Sequence, residues 1–172
     1  ELLKQYEAHK QSLKRAQEAA SMRATSSAVS VASNQLSDAT ITTAVSDYLG
    51  TDTAKKEAVV ALYGEIGDWD VSSVTSMNGL FSSSSFNEDI SAWDVSSVTD
   101  MSQMFAFASD FNQDLSDWDV SSVTSMYVMF YGTSFNQDLS AWNVTNVANM
   151  EFMFNGTLSR ENYDAILNGW AA

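Results

Sequence analysis

Two sets of side chains recur along this chain at a spacing that could do chemistry. Asn87, Asn112 and Asn136 occupy one place in successive copies of a repeated phrase, and Asp89, Asp114 and Asp138 follow them two residues later. If the copies stack, each set becomes a ladder with rungs about 5 Å apart. Such a ladder can work in two ways. Amide and carboxylate oxygens suit a hard cation such as calcium, and a column of carboxylates favours neutralisation. Alternatively, the asparagines bond backbone groups of adjacent copies and the aspartates accept turn N–H groups. No Asp-x-Asp-x-Asp-Gly loop is present, and that loop is the usual calcium signature. We therefore read these six residues as a structural ladder and expect no metal site. A second column, Asp70, Asp94, Asp119 and Asn143, follows four tryptophans. It reads as a solvated acidic strip or as a recognition strip, and these four are the candidate binding residues.

Catalysis finds little support. Serine is abundant, but the single histidine, His9, lies far from the repeats. A Ser-His-Asp set and a multi-histidine metal site therefore both lack their histidines. Carboxylate pairs such as Glu88-Asp89 could do acid–base work, yet they recur in register with structural positions. No catalytic residue, no cofactor and no enzyme activity are expected.

The elements that must position these residues follow from the repeat. Trp69, Trp93, Trp118 and Trp142 head four copies spaced by 24 or 25 residues. A fixed period in the twenties implies coils that contact mainly their neighbours. In each copy a Met-x-x-Met-Phe or Met-x-x-Leu-Phe pattern gives an i, i+3, i+4 apolar stripe, which predicts a short helix. Thr75, Thr99 and Thr124 stand two residues before its first methionine, where a hydroxyl can cap such a helix. The segments 90–98, 115–123 and 139–147 each predict one short strand. The expected fold class is α/β: a leucine-rich-repeat-like solenoid of four coils with a short parallel sheet, helical caps and an N-terminal helix.

The flanks divide as follows. Residues 1–37 read as a helix, with a Leu2, Tyr6, His9, Leu13, Ala16, Ala20 seam over 1–24, then a linker. Residues 38–67 form a helical N-terminal cap. In it Ser37 or Asp38 starts a helix over 39–49 that Gly50 ends in the left-handed conformation. Asp52 starts a second helix over 53–63, with Val59, Val60, Leu62 and Tyr63 buried. The repeats fill 68–157. Residues 158–172 form the C-terminal cap, with Ser159 starting a helix over 160–168, Tyr163, Ile166 and Leu167 facing inward, Gly169 ending the helix and Trp170 folded over the last coil.

Charge narrows the partners. Residues 68–172 carry fourteen acids and one base, Arg160, a net of −13. Nucleic-acid binding rests on neutralising phosphates with Lys and Arg, so no nucleic-acid partner is expected. There is no cysteine, so no disulfide framework and no Cys-based zinc site. No apolar run reaches the roughly 18 residues of a membrane span, and no membrane insertion is expected.

The phrase Phe111-Asn112-Gln113-Asp114-Leu115-Ser116-Asp117-Trp118-Asp119-Val120-Ser121-Ser122-Val123-Thr124-Ser125-Met126, with Met129-Phe130 after it, resembles the repeat of about 26 residues found in bacterial surface proteins and often grouped with the BspA-like leucine-rich repeats. The likeness covers 68–157, with an entry at Tyr63-Gly64-Glu65-Ile66-Gly67-Asp68 and an exit over 158–170. It implies a surface-displayed scaffold without catalytic residues. The expected function is therefore non-enzymatic adhesion, or binding of a protein or cell-surface ligand, preferably cationic, at an extracellular or surface-exposed location. The alternative is a structural subunit of a filament, virion or other surface assembly, a homo-oligomer organised through residues 1–37.

Overall fold

The computed structural model describes residues 34–156 and 158–171. They belong to one compact unit, Asn34–Ala172. The helix expected over 1–24, its seam with His9, and the linker up to residue 33 lie outside the described residues.

Three α-helices flank the repeats: α1 (Ile41–Leu49), α2 (Thr53–Tyr63) and α3 (Arg160–Trp170). Asp52 caps α2 by accepting from the N–H groups of Ala54 and Lys55. Ser159 caps α3 by accepting from Asn162 N–H. Helix α1 starts after Thr40, whose side chain makes no cap bond, and Gly50 is extended rather than left-handed. Gly169 does not end α3. A Cβ there would run into the Ser140 carbonyl, so the glycine lets the helix lie close against the last coil.

The expected α/β solenoid with a parallel sheet is not what forms. Among the described residues there is no strand and no helix inside the coils. The β-bridges between coils are isolated parallel ones, Ser76–Asp100, Asp100–Ser125, Ser125–Asn149 and Phe130–Phe154. The segments 90–98, 115–123 and 139–147 are successions of turns instead. Trp93 N–H returns to Ile90 O and Val98 N–H to Val95 O, and the later coils repeat both bonds. The reason lies in the aspartates. Asp89 and Asp94 each accept the N–H two residues ahead, at Ser91 and Ser96. Such side-chain turns bend the backbone about every five residues and compete with an extended ladder.

The methionine stripe faces inward as expected, but on turns rather than a helix. Met77, Leu80, Phe81, Met101, Met104, Phe105, Met126, Met129 and Phe130 are all buried. Within each stripe the N–H groups divide by parity. Leu80 and Ser82 close turns inside the coil, onto Met77 and Gly79, whereas Met77, Gly79, Phe81 and Ser83 donate to carbonyls of the next coil. Coil 2 repeats this division, and coil 3 repeats it for Met126, Val128 and Phe130. Left-handed backbone recurs with it two and six residues after the first methionine of every coil, at Gly79 and Ser83, Gln103 and Phe107, Val128 and Gly132, Phe152 and Gly156. Only three of these eight are glycines, so neither the stripe nor its composition announces the conformation.

The expected threonine caps also do something else. Thr99 Oγ1 donates to Thr75 O at 3.1 Å, and Thr124 Oγ1 to Thr99 O at 3.0 Å. They are rungs between coils. The tryptophans form a further ladder. The indole N–H of Trp93 donates to Ile66 O, Trp118 to Ile90 O and Trp142 to Leu115 O, at 2.8–3.2 Å. Phenylalanines stack through the interior, with Phe81, Phe105, Phe130 and Phe154 separated by 5.5, 5.6 and 5.7 Å.

The one-residue variation in the period has a local cause. In coil 1 the Ser84 hydroxyl donates to Phe81 O and accepts Phe86 N–H. Thr133 bridges Phe130 O and Phe135 N–H in coil 3 in the same way. Coil 2 has Ala108 there, without a hydroxyl. It carries one more residue before Phe111, and Ala108 supplies its own N–H to Phe105 O and its own carbonyl to Phe111 N–H.

Candidate functional site

The amide ladder runs down one edge of the stack. Asn87 Oδ1 accepts Asn112 N–H at 2.9 Å, Asn112 Oδ1 accepts Asn136 N–H at 2.8 Å, and Asn136 Oδ1 accepts Ser159 N–H at 2.7 Å. The neighbouring glutamines lock the same rungs. Gln113 Nε2 donates to the carbonyl and side-chain oxygens of Asn87, and Gln137 Nε2 to those of Asn112. Asn162 on α3 does the same to Asn136. Each amide oxygen is therefore turned into the stack and occupied by N–H donors.

Asp89, Asp114 and Asp138 each hold the N–H two residues ahead, on Ser91, Ser116 and Ser140, at 2.8–2.9 Å. This is the turn role, and each aspartate is exposed. A small surface hollow of about 170 Å³ lies among Asp89, Ser91, Gln113, Asp114, Ser116 and Asp117. Among the described residues no group of three or more His, Asp or Glu side chains converges as metal ligands would. The Ser91 N–H holds the Asp89 carboxyl below the usual carboxylate range, with the Ser91 hydroxyl adding to it.

Asp70, Asp94, Asp119 and Asn143 lie on turns, not on strands. Each is exposed and accepts the N–H two residues on, from Ser72, Ser96, Ser121 and Thr145. The hydroxyls of Ser72, Ser96 and Thr145 add a second bond to the same oxygen at 2.6 Å. Ser72 holds Asp70 below the usual carboxylate range, and Ser121 does so for Asp119, in both cases through the hydroxyl first and the N–H second. The side chains are thus fixed by their own turns and repeat once per coil.

Three functional side chains were missed in the sequence because each imitates a repeat from outside it. Asp38 stands where a preceding coil would be. Its Oδ1 accepts the N–H groups of Thr75 and Ser76 at 2.7 and 3.1 Å, and its Oδ2 the Thr75 hydroxyl at 2.6 Å. In the next coil the Thr75 carbonyl performs that task for Thr99 and Asp100. The Thr75 hydroxyl and N–H hold the Asp38 carboxyl below its usual range. Asn162 closes the other end of the amide ladder. Tyr48 on α1 places its hydroxyl 3.0 Å from Glu65 and 2.9 Å from Glu88, so one phenol proton serves two carboxylates. Burial, then Glu88 and Glu65, push the phenol pKa up, and the group stays protonated. A signal for Tyr48 was present: Glu88 stands where the later coils have Gln113 and Gln137. With no earlier coil to receive an amide donor, an acceptor replaces it.

No curated protein and no solved structure matches the chain. The model of the family described as Mycoplasma protein of unknown function, DUF285, matches residues 52–170, from the cap of α2 to the last residue of α3, and the chain belongs to that family.

Proposed function

We propose that this chain is a non-enzymatic repeat scaffold displayed on a surface, and that it binds a protein or cell-surface ligand through its lateral acidic strip. The observation that carries this reading is the strip itself. Asp70, Asp94, Asp119 and Asn143 hold one exposed position in four consecutive coils, each fixed by hydrogen bonds within its own turn. A row fixed in advance loses little side-chain entropy on binding. The resemblance of the coils to the BspA-like repeats of bacterial surface proteins supports surface display and adhesion. The charge of the coils favours a cationic ligand and repels nucleic acid.

The test uses a lysine-rich synthetic peptide as the probe, titrated into the full chain by calorimetry at low and physiological salt. Binding should weaken as salt rises. The Asp94→Asn/Asp119→Asn double variant should bind several-fold more weakly with an unchanged melting temperature. Affinity that ignores both the salt and the double variant would remove the strip from the proposal. Proteolysis of intact producing cells tests display: the chain should be cleaved without lysis, and protection until lysis would overturn that part.

A further inference from the structure

The C-terminal end of the stack carries an interaction surface separate from the lateral strip. In coils 1–3 alternate N–H groups after the first methionine all donate to carbonyls of the following coil: Met77, Gly79 and Phe81 to coil 2, Met101, Gln103 and Phe105 to coil 3, Met126, Val128 and Phe130 to coil 4. The equivalent groups of coil 4 belong to Met150, Phe152 and Phe154, and they donate to no described residue. Carbonyls of this segment face the other way: those of Asn149, Glu151 and Met153 already accept from coil 3. From 150 to 154 the free edge is therefore a row of donors, with the Ala148 carbonyl, the counterpart of Thr75, Thr99 and Thr124, as the acceptor that precedes it.

Apolar side chains line the same edge. A groove of about 320 Å³ runs between Met150, Phe152 and Phe154 on the coil and Tyr163, Leu167 and Trp170 on α3. Tyr163 and Leu167, expected to face inward, are 50% and 49% exposed, and Phe152 is 64% exposed. Helix α3 buries Ile166 and binds the Leu139 carbonyl through Trp170, but it leaves the 150–154 edge open.

We propose that this edge and groove dock a polypeptide segment from another protein, one that adopts the coil's own backbone form and presents a row of carbonyls with apolar residues in the Met-x-x-Met-Phe pattern. Three observations select this occupant. The three interfaces between coils show what such a donor row pairs with, and the open edge continues their register. A second copy is a poor match edge to edge through the same surface, because three donors on each side would face one acceptor, the Ala148 carbonyl. Nor does a second copy's coil 1 have a free apolar face to fill the groove, since residues 36–48 already cover it: Asp38 bonds Thr75 and Ser76, Tyr48 packs on Trp69 at 5.5 Å, and Val74, Met77 and Phe81 are buried. A helix layer is about 10 Å across, twice the spacing of stacked coils. The docking mode is edge augmentation, with main-chain bonds supplying affinity and the groove supplying selectivity. Glu151 beside the edge in sequence and Glu161 on α3 add negative charge, Asp164 being paired with Arg160, and favour a neutral or basic segment.

The test is fluorescence anisotropy of the full chain with a labelled, uncharged peptide copying residues 121–134. Binding is expected, with a scrambled peptide at least tenfold weaker. Phe152→Gly should weaken it at least tenfold and keep the melting temperature, since Phe152 is left-handed and glycine accepts that backbone. Tyr163→Ser, on the exposed face of α3, should weaken it as well. Phe107→Gly, an exposed left-handed phenylalanine away from the groove, should leave it unchanged. No binding, equal binding of the scrambled peptide, or equal loss in Phe107→Gly and Phe152→Gly would overturn the proposal. Concentration-dependent dimers in light scattering that Phe152→Gly abolishes would overturn it in favour of a second copy.

Discussion

The two ends of the coil stack solve the same problem to different extents. At the N-terminal end the repeat's chemistry is reproduced by residues outside the repeat. Asp38 plays the missing threonine carbonyl, Tyr48 meets the glutamate that replaces a glutamine, and Leu36, Ile41, Val45 and Tyr48 bury coil 1 almost completely. At the C-terminal end only half is reproduced. Trp170 supplies a fourth indole rung and Asn162 a last amide rung, yet Val144, Val147, Met150 and Phe154 stay partly exposed. Covering apolar area is therefore a separate task from satisfying polar rungs. A cap can complete a ladder and still leave an edge open.

The first way to break this comparison is to place a charge on the same stripe at different depths. Met129→Asp puts an unpaired carboxylate at a fully buried site. The cost should be several kcal/mol, a large share of a typical total of about 5–15 kcal/mol, and circular dichroism should show the repeat region unfolded at room temperature. Met150→Asp lies at the half-covered end and should retain a cooperative melt at lower temperature. Equal losses in the two would mean that the ends are covered alike.

A second experiment compares rungs. Trp93→Phe takes the indole donor from the Ile66 carbonyl, leaving it only the 3.4 Å bond from Trp69 N–H, and should cost about 1–3 kcal/mol in urea denaturation. Trp170→Phe removes the equivalent bond to Leu139 where water can replace it, so its cost should be smaller.

Acidification sharpens the role of Asp38. Its carboxyl is held below the usual carboxylate value of about 3.9 in the folded chain. A depressed folded pKa stabilises above the unfolded value, and that contribution is lost as pH falls through the folded value. Wild-type protein should therefore lose more melting temperature between about pH 5 and pH 3 than Asp38→Asn, whose amide cannot be neutralised further. A parallel fall in both proteins would show that Asp38 does not hold the end of the stack.

The smallest effect is expected at Asp119→Asn. Coil 4 already carries Asn143 at that position, accepting the same turn N–H. The change should stay within about 0.5 kcal/mol in the same denaturation assay.

Much of this arrangement was legible in the sequence. The spacing of Trp69, Trp93, Trp118 and Trp142 determined the coils, and the identity of the buried residues followed from which apolar side chains recur. The structural reading of Asn87, Asn112 and Asn136 and of Asp89, Asp114 and Asp138 agrees with their observed bonds, because an oxygen that recurs at every coil meets the same donor in every coil. Capping by Asp52 and Ser159 was readable too, since it needs only local backbone.

Backbone form was decided elsewhere. The i, i+3, i+4 stripe marks a helix or a string of turns equally well, and the alternating left-handed residues that separate them include Gln103, Val128 and Phe152, which favour no such conformation alone. Gln103 and Val128 then each place one N–H on the next coil, a gain that exists only when that coil is present, whereas Phe152 holds the same form at the open end. Asp38, Tyr48 and Asn162 were hidden for the same reason, as their partners lie 37, 40 and 26 residues away. Sequence period determined what repeats and which face is buried, through local spacing. Tertiary stacking alone decided the polarity of the hydrogen-bond rows and which end stays open, because a bond between coils has no counterpart within a single coil.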